Sequence, residues 1–423
     1  MKKAFMILLA FSLLGGLACA VPTSADMVKS DKQRISSPVV GAGDMDTLAQ
    51  GNTGFAFDIY RRLSPSDGNL FLSPYSISQA LAMTYAGARG TTEQEMAKTM
   101  QFILAQDRLH PAFNSLDQEL ARRGEGAKGK DDKGFRLNIV NAIWGQQGFN
   151  FLPGFLDTLA MNYGAGLRLL DFASAPEPSR VTINDWVADQ TEDRIKDLIP
   201  QGAIDTLTRL VLTNAIYFNA AWMYPFNEGA TADGDFHLLG ASTVSVPIMH
   251  ETESFGYAAS SGYKVVELPY DGSELSMVIL LPDEGNFVAF EKGLDADRFN
   301  AVLGKIQYRQ VALGLPKFEY TSEFNLNDAL IAMGMPQAFT GSADFSGMTG
   351  TRDLYITDVI HKAFVAVDEA GTEAAAATAV IMGRTSMPAE PVVVTVDRPF
   401  IFVIRDIQTG TVLFVGRVLD PGK

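Results

Sequence analysis

An α+β fold with large antiparallel or mixed sheets is the class this sequence predicts, and three observations predict it. Helix-like periodicity fills the early part of the chain. Later come runs rich in β-branched and aromatic residues that are too short for helices. From about residue 46 to 421 neither a Pro/Ser-rich linker nor a repeat divides the chain, so one large domain is expected. With 423 residues, 47% of them hydrophobic and 20% charged, the chain can bury a large core. A net charge of -15 repels phosphate backbones and argues against nucleic acid as a partner. One cysteine leaves no intrachain disulfide and no thiolate-rich metal site.

Lys2 and Lys3 precede an apolar run from Ala4 to Leu14, too short to span a bilayer and followed by small residues, so residues 1–20 read as an export signal. Two cleavages fit: after Ala20, or before Cys19 with that cysteine becoming a lipidated first residue. Gly16-Leu17-Ala18-Cys19 is similar to a bacterial lipoprotein box, with Gly16 where Leu is usual. The lone cysteine at the anchor position and the polar stretch 21–45, read as a flexible tether, favour lipidation. The chain is thus expected to be exported, extracellular or in the cell envelope, with an outer-membrane lipoprotein as the lipidated form and the membrane met only through that anchor.

Within the domain, Ser73 offers an N-cap and Pro74 a pre-set first helical residue, and Ile77, Ala80, Leu81 and Thr84 share one helical face. Thr92 with Glu95 forms the pattern of a capping box, and Asn184 can cap a helix that runs on to Ile199 before Pro200. Leu210 to Phe218, Leu275 to Leu281, Phe364 to Val367 and Val392 to Val396 read as buried strands. Phe400 to Ile404 and Val412 to Val418 flank Gln408-Thr409-Gly410 as a terminal antiparallel hairpin.

Chemistry is hard to find. The stretch from Gly124 to Lys130 has phosphate-loop spacing, but Asp131 stands where a magnesium-binding Ser or Thr belongs and no apolar strand enters it, so it reads as a solvated loop. His110, His237, His250 and His361 are scattered without metal-binding spacing, and no Gly-x-Ser-x-Gly elbow occurs. No metal, no cofactor and no catalytic residue is expected. The anomaly is residues 368–391, long for a connection in a compact domain. Its front half, Thr372 to Ala379, fits a short alanine-rich helix, and fits equally a strand of small residues able to enter a sheet without overpacking. Its back half, Arg384, Thr385, Ser386 and Met387 between Gly383 and Pro388, offers a protease an extended peptide.

Three stretches, in this order, resemble signature segments of the serpins: Asn69-Leu70-Phe71-Leu72-Ser73-Pro74-Tyr75-Ser76-Ile77, then Leu212-Thr213-Asn214-Ala215-Ile216-Tyr217-Phe218 with Trp222, then Asp397-Arg398-Pro399-Phe400 through Gly416-Arg417-Val418. Val367-Asp368-Glu369-Ala370-Gly371-Thr372-Glu373-Ala374-Ala375-Ala376-Ala377 is similar to the hinge of inhibitory members. The resemblance covers about residues 46–421. It implies about nine helices around three β-sheets, with 368–391 as an exposed reactive-centre loop. It also implies suicide inhibition: a serine protease attacks the bait bond, and the freed loop inserts into the large sheet and traps the acyl-enzyme.

The resemblance places Thr372, Ala374, Ala376 and Thr378 facing the core, all small and uncharged, with Glu373 outward and Ala375 and Ala377 alternating with them. That favours an inhibitor over the alternative, a non-inhibitory binding or chaperone-like member. Ser73, Ser76, Asn214 and His361 resemble the family's shutter. Glu369 and Lys317, with Trp222 nearby, resemble the ion pair at the top of the opening strands. Counting seventeen residues from Glu369 puts the bait at Thr385-Ser386, while Arg384 is the rival first residue. The expected partner is a trypsin-like, elastase-like or subtilisin-like serine protease, with cysteine proteases as a further class, met by a monomer.

Overall fold

The computed structural model describes residues 25–125, 127, 136–240, 242–372 and 390–423. Two hydrogen-bonded sheets and ten α-helices make up these residues. The seven-stranded sheet runs in the order Asp26–Val28, Leu167–Leu170, Arg136–Gln146, Leu210–Ala221, Gly371–Thr372, Ile356–Val367, Phe318–Asn325. The nine-stranded sheet holds the expected second and third sheets in one network, because the 18-residue strand Thr243–Ser260 runs through both. Its first third pairs with Ala232–His237 and its last residues with Tyr263–Pro269, while Gln307–Pro316 pairs with residues 248–257 between them. Phe400–Asp406 and Val412–Val418 form the predicted hairpin.

Strand Leu210–Ala221 shows why its sequence reads as an unbroken apolar run. Successive side chains leave opposite faces, and both faces are covered. Leu212, Ile216, Phe218 and Ala220 point into the main core between the sheets, where Phe218 meets Phe414 at 5.3 Å and Phe71 stacks on Phe414 at 5.0 Å. Val211 and Ala215 point the other way, into a second core with Trp144, Ile183 and Val187. Ile183 and Val187 belong to helix Pro176–Gln190, which covers this face.

Ser73 caps helix Pro74–Tyr85 as expected, its hydroxyl accepting from the Ser76 N–H at 3.3 Å. Two other local expectations fail because tertiary partners outbid the helix ends. Helix Gly90–Thr99 starts after Arg89 without a side-chain cap; Thr92 Oγ1 instead accepts from the Asp344 N–H at 2.9 Å and Glu95 from the Gln337 N–H at 2.9 Å. Asn184 sits inside its helix and clamps Ile199 through both backbone groups, at 2.8 and 3.0 Å. The stretch read as a tether lies on the body from residue 25 onward. Asp26–Val28 adds an edge strand to Leu167–Leu170, Lys32 pairs with Asp157 at 2.8 Å, and Arg34 bonds Asp117 and Asn114. None of residues 25–43 is fully buried, and these polar contacts together with the edge pairing tie the strap to the surface. No helix among the described residues is long and apolar enough to cross a membrane.

Candidate functional site

Strands Leu210–Ala221 and Ile356–Val367 lie side by side in parallel, with eight Cα pairs from Ile356/Leu210 to Phe364/Tyr217. Above Phe364 they part. After Val367 the chain turns back and sends Gly371 and Thr372 down between them, antiparallel to both: Thr372 pairs with Val367 on one side and with Ala220 on the other. The slot is narrow enough to require glycine, since a Cβ on Gly371 would lie 2.1 Å from the Ala220 carbonyl oxygen.

The reversal is tied from several sides. Asp368 accepts from the N–H groups of Ala370 and Gly371 at 2.9 and 3.2 Å, the local bonding that makes Asp a turn former. Trp222 donates its indole N–H to the Asp368 carbonyl at 3.0 Å and its backbone N–H to Ala370 at 2.9 Å. Its ring stacks on Tyr270 at 4.6 Å, and the Tyr270 hydroxyl bonds Thr372 Oγ1 at 2.8 Å. Lys317 and Thr231 each donate to the Glu369 carboxylate at 2.7 Å. Burial pushes that carboxyl up, but the two donors outweigh it and hold it below the usual glutamate value. The predicted group of Glu369, Gly371, Thr372, Trp222 and Lys317 therefore meets at one end of the slot. Tyr270 and Thr231 are members that sequence reasoning missed, and Asp368 enters it only as part of the hinge stretch, without a role. Each is a common residue beside a turn, and only the fold marks them.

A second polar cluster lies six residues further down the ladder. His361 and Asn214 are directly paired Cα partners, joined from Nδ1 to Oδ1, and Asn214 donates to Ser76 Oγ and Asn141 Oδ1. The Ser73 N–H donates to His361 Nε2 at 3.2 Å, so Nε2 is the acceptor and Nδ1 carries the proton. Burial lowers the imidazole pKa to about 3, keeping it neutral at any ordinary pH. Ser73, Ser76, Asn214 and His361 are thus brought together as the resemblance implied. The missed member is Asn141, whose amide also bonds Gln79 at 2.9 Å. Its signal was a polar residue inside the run Ile139-Val140-Asn141-Ala142-Ile143. Among the described residues no group of three or more His, Cys, Asp or Glu could hold a metal.

A two-residue wedge in a parallel slot above a neutral polar cluster is a particular architecture, and comparison with known proteins says whose it is. The family model described as serpin (serine protease inhibitor) matches residues 50–421. The chain belongs to the serpin family. Leukocyte elastase inhibitor of Sus scrofa is 39% identical over 389 residues, covering 89% of this serpin and 100% of the relative. An uncharacterized serpin-like protein of Thermococcus kodakarensis is 39% identical over 385 residues, covering 90% and 88%. Among solved structures, native tengpin, a thermophilic serpin, superposes with a TM-score of 0.81 at 27% identity, covering 94% of this chain and all of tengpin. Serpin48 of Tenebrio molitor gives 0.77 at 30%, covering 90% and 99%. The family is described as one of serine protease inhibitors, and the Sus scrofa relative is named as an inhibitor of leukocyte elastase. The remaining hinge residues Glu373, Ala374, Ala375, Ala376, Ala377 and Thr378, the bait residues Arg384, Thr385 and Ser386, and the anchor candidate Cys19 lie outside the described residues.

Proposed function

We propose that this serpin is a suicide inhibitor that presents Thr385-Ser386 to a serine protease and, once cut, completes the strand begun at Gly371–Thr372. The observation that carries this is the register. The ladders on the two sides of the wedge continue in step: moving six residues beyond Thr372 reaches Asn214 on one strand and His361 on the other, and those two are already Cα partners. A descending strand can therefore enter without either neighbour slipping.

The same register gives the loop's faces. Thr372 is fully buried towards the main core, so Ala374, Ala376 and Thr378 follow it there, against Phe218/Val365, Ile216/Ala363 and Asn214/His361. Residues this small fill the space over Phe218 and Ile216 without overpacking. Glu373 falls opposite Asn219 and Ala366, on the outer face. Insertion exchanges one parallel ladder of eight pairs for two antiparallel ones. The net gain of about eight hydrogen bonds, at ~0.5–1.5 kcal/mol each, is on the order of 10 kcal/mol. The uncut protein is then held by a barrier.

Residues 1–20 support export, with Cys19 as the lipid anchor; intact mass of the mature N-terminus tests this. For the inhibitory mechanism, the protein is incubated with elastase-like, subtilisin-like and trypsin-like proteases and run on denaturing gels. The expected result is an SDS-resistant complex near the summed masses, a C-terminal fragment starting at Ser386, and a large rise in melting temperature after nicking by a non-target protease. Clean cleavage with no complex and no rise would replace this reading with the non-inhibitory one.

A further inference from the structure

The slot opens at one end of the seven-stranded sheet, and the N-terminal strap enters that sheet at the other. One row of Cα partners runs from Asp26 to Leu169, from Leu169 to Gly145, from Gly145 to Leu210 and from Leu210 to Ile356. The first residue of the edge strand is therefore level with the first residue of Leu210–Ala221. Thr372 pairs with Ala220, ten residues up that strand, or about 33 Å away at 3.3 Å per residue. Cys19 precedes Asp26 by seven residues, and seven fully extended residues reach no further than about 25 Å. A lipid on Cys19 thus keeps the Asp26 end of the sheet close to the bilayer, while the slot is free to stand clear of it.

That end presents apolar side chains to solvent. Leu207, 63% exposed, comes just before Leu210; Leu152, 39% exposed, follows the end of strand Arg136–Gln146; Met27, 45% exposed, lies on the edge strand itself. The segments that hold them are tied to their neighbours. Gln147 Nε2 donates to Asp26 Oδ2 at 3.4 Å, the Leu152 N–H to the Met348 carbonyl at 2.7 Å, and the Tyr355 hydroxyl to the Leu207 carbonyl at 2.9 Å. Side chains on loops held this way lose little freedom on meeting a partner. Singly, each is ordinary protein surface, and three such contacts alone would hold a free protein only weakly. A short tether changes this, because it makes the second contact intramolecular at an effective concentration of about millimolar. Charge does not supply the attraction: a chain of net charge -15 is repelled by anionic headgroups, so the contact is apolar.

We infer that this end of the sheet is a docking surface for a lipid bilayer, with Leu207, Leu152 and Met27 entering the headgroup boundary and the slot facing away from it, open to a protease in solution. The inference rests on the lipidation of Cys19 proposed above.

The test attaches the lipid chemically. The chain beginning at Cys19, which keeps every described residue, is coupled through its one thiol to a maleimide lipid in phosphatidylcholine vesicles, and its hydrogen exchange is compared with that of the same chain capped by a small maleimide in solution. Amides of residues 147–152 and 205–209 should exchange at least threefold more slowly on the vesicles, and those of 223–230, beside the slot, should be unchanged. Leu152→Glu combined with Leu207→Glu, both at exposed positions, should remove the protection without moving the melting temperature. The protection should persist at about 0.5 M salt, where charge attraction is screened. No protection at the Asp26 end, equal protection at both ends, or protection that survives in the double variant overturns the docking surface; loss of protection in salt overturns its apolar character. Intact mass of the exported protein decides the lipidation reading separately, since a lipid-free N-terminus there leaves the exchange pattern of the coupled chain as measured.

Discussion

Thr378→Arg is the substitution that most directly loads the proposed insertion. In the continued register position 378 arrives between Asn214 and His361, both fully buried, and its side chain enters the main core at the level of Ser76 and Asn141. That cluster offers no carboxylate. His361 is neutral and uses both ring nitrogens, and the Asn214 amide is committed to Ser76 and Asn141. A guanidinium there is an uncompensated buried charge, costing about 3–5 kcal/mol. Set against a drive on the order of 10 kcal/mol, the loss leaves the inserted state accessible but stalls the strand halfway. If half or more of the cost falls on the rate-limiting step, insertion slows by roughly 10- to 4000-fold, at 1.4 kcal/mol per factor of ten. Deacylation of the protease then wins the race. The assay is the partition between SDS-resistant complex and cleaved inhibitor, measured with the protease that gives the highest complex yield for the unsubstituted chain. Complex should fall to a minor product while the rate of loop cleavage stays within a few-fold. Glu373→Lys is the control, since the proposed register would turn position 373 outward, and its partition should barely move. An unchanged complex yield in Thr378→Arg refutes insertion in this register.

Gly371→Ala puts a methyl group 2.1 Å from the Ala220 carbonyl oxygen, so the wedge must leave the slot; the Tyr270–Thr372 bond is lost, and Trp222 fluorescence and the thermal midpoint should both change. Glu369→Gln keeps the shape but removes the charge paired with a Lys317 that is 38% exposed, so the loss should be at or below about 1 kcal/mol in a urea titration. Because the Glu369 pKa is depressed, its contribution is present above the ordinary glutamate pKa and fades as pH falls through the folded value; the difference between Glu369→Gln and the parent should therefore vanish in acid. The two buried histidines act in the same direction over a wider range. With folded pKa values of about 3 for His361 and about 4 for His110 against 6.5 unfolded, the unfolded chain takes up two protons that the folded one refuses. Resistance to urea should fall by up to about 2.7 kcal/mol per pH unit between pH 6 and 4, and His361→Gln should roughly halve that slope.

How much of this was legible depended on whether the deciding partner was local. Ser73-Pro74 and the hairpin around Gly410 carry their own geometry and were readable as they stand. Strand Ile356–Val367 was seen only from Phe364, because Asp358, His361 and Lys362 break its apolar run. Each is satisfied by a distant group: Asp358 by Asn325 at 2.7 Å, Lys362 by Glu323 at 3.0 Å, His361 by Asn214 and the Ser73 N–H. Thr92, Glu95 and Asn184 misled for the same reason, since capping residues are also good ligands for any passing backbone. The site fell between these cases. Lys317 and Glu369 are 52 residues apart, and nothing in their spacing joins them; only resemblance to a family did.

The register also bears on which bond is the bait. If the loop inserts as proposed, the ladder carried to the end of strand Leu210–Ala221 would bring residue 382 opposite Leu210, the first residue of that strand. A cut after Thr385 leaves three residues between the end of the strand and the acylated protease; a cut after Arg384 leaves two. At about 3.3 Å per extended residue the difference is small in length but large as a fraction of the slack. In the proposed mechanism a protease pulled hard against the end of the sheet would be deformed before water reaches the acyl bond, whereas one on a longer leash would be released. Shortening the arm by deleting one of Ala374–Ala377 would also shift every inward-facing side chain to the wrong face, so length is better varied below the slot, at Gly383. Deleting Gly383 shortens the arm by one residue while leaving 372–382 in register. If Thr385 is the bait, complex yield should hold or rise while the fragment still begins at Ser386; a fragment beginning at Thr385 in the undeleted protein would move the bait to Arg384 and the length argument with it.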